Sequence, residues 1–335
     1  MIALLMAAAI LAQSPAEALS ARAVQAIQRG DVEAASDLWR QAIQQDSRHF
    51  PSLFNLGMSL HRSGQFEQAV EFLNRAAEVS PGYQVHLLRG SNYQKLYRLE
   101  DAIRSWRSAL ALQPGNLKLM QVLSVEYTRG RYFHEAAAVA RQALRVAPNE
   151  PNLYFIAIKA YQDAGDIDAA AELAAQAAIR FPISARAQFE HGYYLQKRGK
   201  TADSLGFLRR AMALDSNYEE PFFFYGDLMV KSSKWQDAVE PLRRSLSIRP
   251  EYSPARVALS RALNGLGDLP SAIQELEIAA KLDPKNAQPW VLLAQYYFRQ
   301  GNEEKASSAK ETSLRLRREN PTVLEAAQAR PFPPN

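Results

Sequence analysis

With 335 residues, 47% hydrophobic and 22% charged, the chain has the composition of an ordinary folded protein. Forty basic residues against 35 acidic ones leave a net charge of +5, too even for the concentrated basic footprint of a nucleic-acid binder. It contains no cysteine, which excludes disulfides, thiol catalysis, thiolate metal sites and a lipid-anchored N-terminal cysteine.

The first predicted element is an uninterrupted apolar run, IALLMAAAILA from Ile2 to Ala12, followed by QSPAEA. Its length is too short to cross a bilayer as a helix, which takes roughly twenty residues. It does suit the apolar core of a secretory signal, with small residues around a cut after Ala12 or Ala16. The expectation is an exported, periplasmic protein of bacterial type, with residues 1–15 as the signal peptide. No Lys or Arg precedes the run, and Ile10 fits the cleavage pattern poorly. A second reading therefore stays open: an apolar turn docked on the first helix of a cytoplasmic protein.

From Ala16 onward the chain repeats itself every 34 residues, with one step of 33. Nine units begin at Ala16, Phe50, Tyr83, Leu117, Pro151, Ala185, Glu219, Ser253 and Ala287. Position 20 is alanine in every unit except the sixth, which has Ser204, and position 27 is alanine or serine throughout. Position 32 is proline in six units, from Pro81 to Pro284. Position 8 is small (Gly57, Gly90, Gly192 and Gly226 among others), with Ile158 the exception. Apolar residues at helical spacing on either side of Gly64, Gly165, Gly199, Gly267 or Gly301 predict two helices per unit, joined by a short turn. Prolines at or next to unit starts, such as Pro51, Pro151 and Pro254, fit a helix's first turn, where a missing N–H costs little.

Leu56-Gly57, the aromatics Tyr93, Tyr127, Tyr161 and Tyr297, the alanines at 20 and 27 and the proline at 32 resemble the tetratricopeptide repeat. The resemblance covers residues 16–320 and implies an all-α fold, a right-handed α-solenoid of about nine helix-turn-helix repeats. Residues 321–335 then read as a short capping helix and a proline-rich tail.

Nine such units leave no space for a separate catalytic module. The five histidines occupy unrelated positions, none at the i, i+4 spacing of a helical zinc site. His191 falls at a core position, where a buried, hydrogen-bonded ring is expected. The stretch NGLGDLP at 264–270 looks like a phosphate-cradling glycine loop, but it is an inter-helix turn without the lysine or the preceding strand. The expectation is no enzyme activity, no cofactor and no metal.

The resemblance further implies that positions 2, 5, 9, 12 and 13 face an inner groove. Position 5 then offers Phe54, Phe155, Phe189 and Phe223, with Tyr193 at position 9. Gln162 and Gln196 stand at position 12, where their amides can donate to and accept from a peptide backbone. Lys159, Lys197 and Lys231 add positive charge, and the five positions together carry ten basic residues against four acidic ones. The three successive phenylalanines, Phe155, Phe189 and Phe223, read as an apolar strip for a partner's side chains. The expected function is a protein-protein interaction scaffold, binding a peptide or protein segment with apolar anchors and acidic character. Two further classes stay open, an RNA-binding helical-repeat array and a regulatory subunit of a separate enzyme. The balanced charge and the 34-residue period disfavour RNA.

Overall fold

The computed structural model describes residues 14–319, all of whose regular elements are helices. The residues fall into two compact units that divide between Pro148 and Asn149, where the repeat pattern reads as a single array. The proposed signal segment and the proposed capping helix lie outside the described residues.

Unit 1 holds four helical hairpins: α1 (Pro15–Gln28) with α2 (Val32–Gln45), α3 (Phe50–Arg62) with α4 (Phe66–Val79), α5 (Tyr83–Lys95) with α6 (Leu99–Leu112), and α7 (Leu117–Arg129) with α8 (Phe133–Val146). Unit 2 holds five: α9 (Pro151–Asp163) with α10 (Ile167–Arg180), α11 (Ala185–Lys197) with α12 (Thr201–Leu214), α13 (Glu219–Lys231) with α14 (Trp235–Ile248), α15 (Ser253–Gly265) with α16 (Leu269–Leu282), and α17 (Ala287–Arg299) with α18 (Glu303–Glu319). From α3 on, each first helix begins on the residue that opens the corresponding sequence unit. Within each unit of the fold, the second helix of a hairpin packs on the first helix of the next.

Local chemistry sets these boundaries. The Ser14 side chain accepts from the Glu17 amide while Glu17 reaches back to the Ser14 N–H, a reciprocal cap on α1. Asp31, Asn116, Asp166, Ser184 and Asp268 cap later helices in the same one-way sense, each side chain accepting from a first-turn amide. The intra-hairpin turns pass through the left-handed region, at Gly64 with φ +75° for example. Three turns do so without glycine, at Tyr97, Arg131 and Ser233. α14 runs on through Pro241, although that residue has no amide hydrogen for the helix ladder.

The glycines at position 8 of the second, third and seventh repeats are explained by what faces them at position 24. A Cβ added to Gly57 would lie 2.7 Å from Leu73 Cγ, and one added to Gly226 would lie 2.6 Å from Leu242 Cγ. At Gly90 the neighbour is the Trp106 indole, at 2.3 Å. Each glycine thus lets a large position-24 side chain lie directly against the partner helix, and Leu73 and Leu242 are fully buried. Unit five of the repeat inverts the sizes. Ile158, the exception at position 8, shares its hairpin with Ala174 at position 24, and both are buried.

Among the described residues, two carboxylates are buried in this framework, Glu126 and Glu219. Glu219, at the start of α13, accepts from Ser245 Oγ at 2.6 Å. Burial pushes its carboxyl above the usual range, more than the Ser245 bond and Arg249 pull it back.

Two outcomes follow from this packing. Gly226→Ala should destabilise by about 1–2 kcal/mol despite alanine's better helix propensity. Gly192→Ala should cost clearly less, because its methyl would meet Leu208 and Phe207 at 3.3 Å, a tight contact that a shift of the Leu208 side chain by a few tenths of an ångström relieves. Urea unfolding of the two variants would refute the close-approach argument if they behaved alike. The raised Glu219 pKa means the folded state holds its proton more tightly than the unfolded chain. Stability is therefore lost as pH rises from the unfolded carboxylate value, about 4.3, through the higher folded one. Glu219→Gln should raise the melting temperature at pH 7 and bring no gain at pH 4; a gain of equal size at both would count against the burial argument.

Candidate functional site

Most of the sequence-assigned groove residues lie on the first helices of unit 2. Phe155 projects from α9, Phe189 from α11 and Phe223 from α13. The open strip of three phenylalanines expected from the sequence is not what they form. Phe155 is only 6% exposed and Phe189 only 7%, while Phe223 is half-buried.

The cover comes from the neighbouring repeat. The Arg186 guanidinium lies over the Phe155 ring, 4.2 Å from its centroid. Tyr218, in the loop entering α13, meets Phe189 edge to face at 5.4 Å. Tyr252, one repeat later in the loop entering α15, does the same to Phe223 at 5.0 Å. Phe224 ties the group together, 5.4 Å from Phe189, 5.2 Å from Tyr193 and 5.1 Å from Phe223. The signal for this cover was present in the sequence as tyrosine at position 34 of two successive repeats. That position lies in the loop between repeats, so helical periodicity assigns it no face. Tyr193 and Phe223 keep partial access to solvent. Phe54 belongs to unit 1, where it is half-buried and stacked on Phe50 at 5.9 Å.

The positive charge is also less free than a count suggests. Lys159 Nζ lies 2.5 Å from Asp163, Lys231 Nζ 2.6 Å from Asp227, and Arg186 3.8 Å from Glu190. In unit 1, Arg129 pairs with Glu126 at 2.6 Å. In each pair the cation is exposed and the carboxylate recessed, so the pairs contribute little stability but neutralise the face locally. Glu126 and Glu190 stand at positions outside the five counted from sequence. Burial holds the Glu190 carboxyl above its usual range, with Arg186 opposing and Glu220 adding to the shift. Lys197, by contrast, rests over the Tyr193 ring at 5.3 Å.

Of the two amides, Gln162 already accepts from the Tyr194 hydroxyl at 3.1 Å, so one of its groups is committed to the fold. Gln196 is half-buried beside Lys197 on α11. His191 is half-buried too, but without the hydrogen bond expected of it. Its ring packs edge to face on Phe207 at 4.4 Å, its Nδ1 finds no partner, and burial lowers its pKa. The surface that remains on α11 and α13 is therefore a half-exposed patch of Tyr193, Gln196, Lys197 and Phe223, edged by the paired Lys231. No helix among the described residues is long and apolar enough to cross a membrane.

Comparison with known proteins agrees with this architecture. The tetratricopeptide repeat profile matches residues 20–83, 157–219, 225–287 and 257–321. A tetratricopeptide repeat-containing protein of Methanocaldococcus jannaschii is 23% identical over 316 residues, covering 84% of this chain and 53% of its own length. A BBSome complex member of Bos taurus, BBS4, is 21% identical over 284 residues, covering 83% of this chain and 53% of its own. The chain thus spans about half the length of these relatives. Among solved structures, PilW, a widely conserved type IV pilus biogenesis factor, superposes with a TM-score of 0.53 at 24% identity, over 63% of this chain and 96% of that one. With its repeat spacing, helix boundaries and profile matches in agreement, the chain belongs to the tetratricopeptide repeat family.

Proposed function

We propose that the chain is a non-enzymatic scaffold that binds a peptide or protein segment along the first-helix faces of its repeats. The observation that carries this is the complete use of the described residues by helical hairpins, together with a surface on α11 and α13 that combines half-exposed aromatic rings, an amide and lysines. Aromatic rings supply contact area at low entropic cost, and charges at the rim set orientation and association rate. Phe189 and Phe224 take the role of a floor that holds Tyr193 and Phe223 in place. The groove residues in direct reach of a partner are then Tyr193, Gln196, Lys197, Phe223 and Lys231, with Lys159 and Gln162 on α9. An acidic partner segment fits Lys197 and needs Lys159 and Lys231 to leave their own carboxylates.

The same proposal places the protein in a bacterial-type cell envelope, on the strength of the apolar run Ile2–Ala12. Mass spectrometry of the native N-terminus should find it beginning at Gln13 or Glu17, and an intact Met1 would remove the export argument.

Capture of native partners should drop at least tenfold when Tyr193→Ala and Phe223→Ser are combined, a loss of about 1.4 kcal/mol or more. The circular dichroism of the variant should match that of the parent. Equal capture by parent and variant would disprove the assignment of this face.

A further inference from the structure

A second concave feature lies at the start of unit 1, and the aromatic patch described above plays no part in it. α1 and α3 form its sides and α2 closes its floor. Val24 and Ile27, Val32 and Trp39, and Met58 and Arg62 border it in that order, around a volume of about 550 Å³. That is the size of a cleft that takes a ligand-sized group. Val24, Ile27, Met58 and Arg62 occupy positions 9 and 12 of the first repeat and 9 and 13 of the second. These belong to the set assigned to the inner face, so the cavity opens where a bound segment would run.

Three observations on the cavity agree about what it would accept. Its α1 and α2 walls are apolar and not covered by the fold, Val24 being 41% exposed and Val32 45%, while α3 adds Asn55, Ser59 and Ser63 beside Met58. Trp39, at the floor, is only 3% exposed, yet its indole N–H meets no acceptor. Buried donors in folded proteins nearly always have a partner, and one left open beside a cavity points to an acceptor supplied from outside. Arg62 is the one charged side chain among the described residues bordering the cavity, it is exposed, and no carboxylate of the described residues pairs with it. Arg129, Lys159, Arg186 and Lys231 each have such a partner, so Arg62 stands with Lys197 among the groove cations that keep their charge free.

Resting on the scaffold reading above, we infer that this cavity seats one large apolar side chain of a partner segment, with a carbonyl oxygen beside it accepting the Trp39 indole N–H and a neighbouring Asp or Glu pairing with Arg62. The partner chemistry is an apolar residue flanked by an acidic one. The apolar side chain fills the valine- and methionine-lined space, the backbone satisfies the orphaned donor, and the charge fixes direction along the face.

Selection of a random dodecapeptide display library on the full-length chain tests this. The enriched peptides should carry a large apolar residue within two positions of Asp or Glu. Their affinity should fall at least tenfold for Val24→Glu and for Arg62→Glu, both at exposed positions where the fold tolerates exchange. Trp39→Phe keeps an aromatic ring and removes the donor, and should weaken binding about fivefold with unchanged circular dichroism. Should that variant unfold, the two surface variants still decide the matter. Enriched peptides that are basic, or whose affinity ignores these substitutions, would overturn the assignment of this cavity and leave the scaffold reading standing. A library that yields no enrichment at all would overturn both. Binding that emerges only when residues 1–13 are deleted would make that segment the occupant and end the case for a foreign partner.

Discussion

The architecture turns on close approach of the two helices of a hairpin, where glycine at position 8, as at Gly57, Gly90 and Gly226, meets a large residue at position 24. Everything else in the architecture depends on that distance. With glycine at position 8, as in Gly57 and Gly226, a leucine lies directly on the opposing backbone and is excluded from water. Where Ile158 occupies position 8, Ala174 gives up the volume. In these hairpins the two sizes trade against each other, whereas the fourth repeat has small residues at both places, Ser124 and Ala140. That trade explains how repeats with little residue identity keep one geometry, since close packing constrains volume more strictly than it constrains chemistry.

A constant hairpin has a consequence for the surface. The loop that enters each new first helix falls at a fixed place relative to the repeat before it. Where that loop carries tyrosine, at Tyr218 and Tyr252, it covers the phenylalanine at position 5 of the preceding helix. Where it carries serine, as at Ser184, the following Arg186 lies over Phe155 instead. The aromatic residues of α11 and α13 thus serve two purposes. Phe189 and Phe224 stabilise the junctions between repeats, and Tyr193 and Phe223 present the remaining ring surface.

Electrostatics follow the same division between recessed and exposed groups. Asp163, Glu190 and Asp227 are recessed, while Lys159, Arg186 and Lys231 reach over them from the exposed side. Long basic side chains on the rim pair and unpair at little cost, so these three cations are neutralised locally while Lys197 keeps its charge free. Arg62 in unit 1 and Lys197 on α11 have no such carboxylate beside them among the described residues, so each face keeps one cation ready for a partner.

The repeat length, the helix boundaries and the positions of the small residues were all legible in the sequence. Each depends on contacts within one hairpin or between adjacent ones, and those contacts recur every 34 residues in the same register. The family and the all-helical fold follow from that periodicity and its small-residue pattern, while the inner-face positions came with the family resemblance. What the tertiary structure decided was accessibility. Phe155 and Phe189 stand at groove positions yet are covered by residues about thirty positions later, and ion pairs to Glu126 and Glu190 cross between positions that a periodic count treats separately. The division at 148 and 149 and the orphaned indole of Trp39 belong to the same class. Periodicity reports which face of its own helix a side chain occupies, but burial is set by what the next element places on top of it.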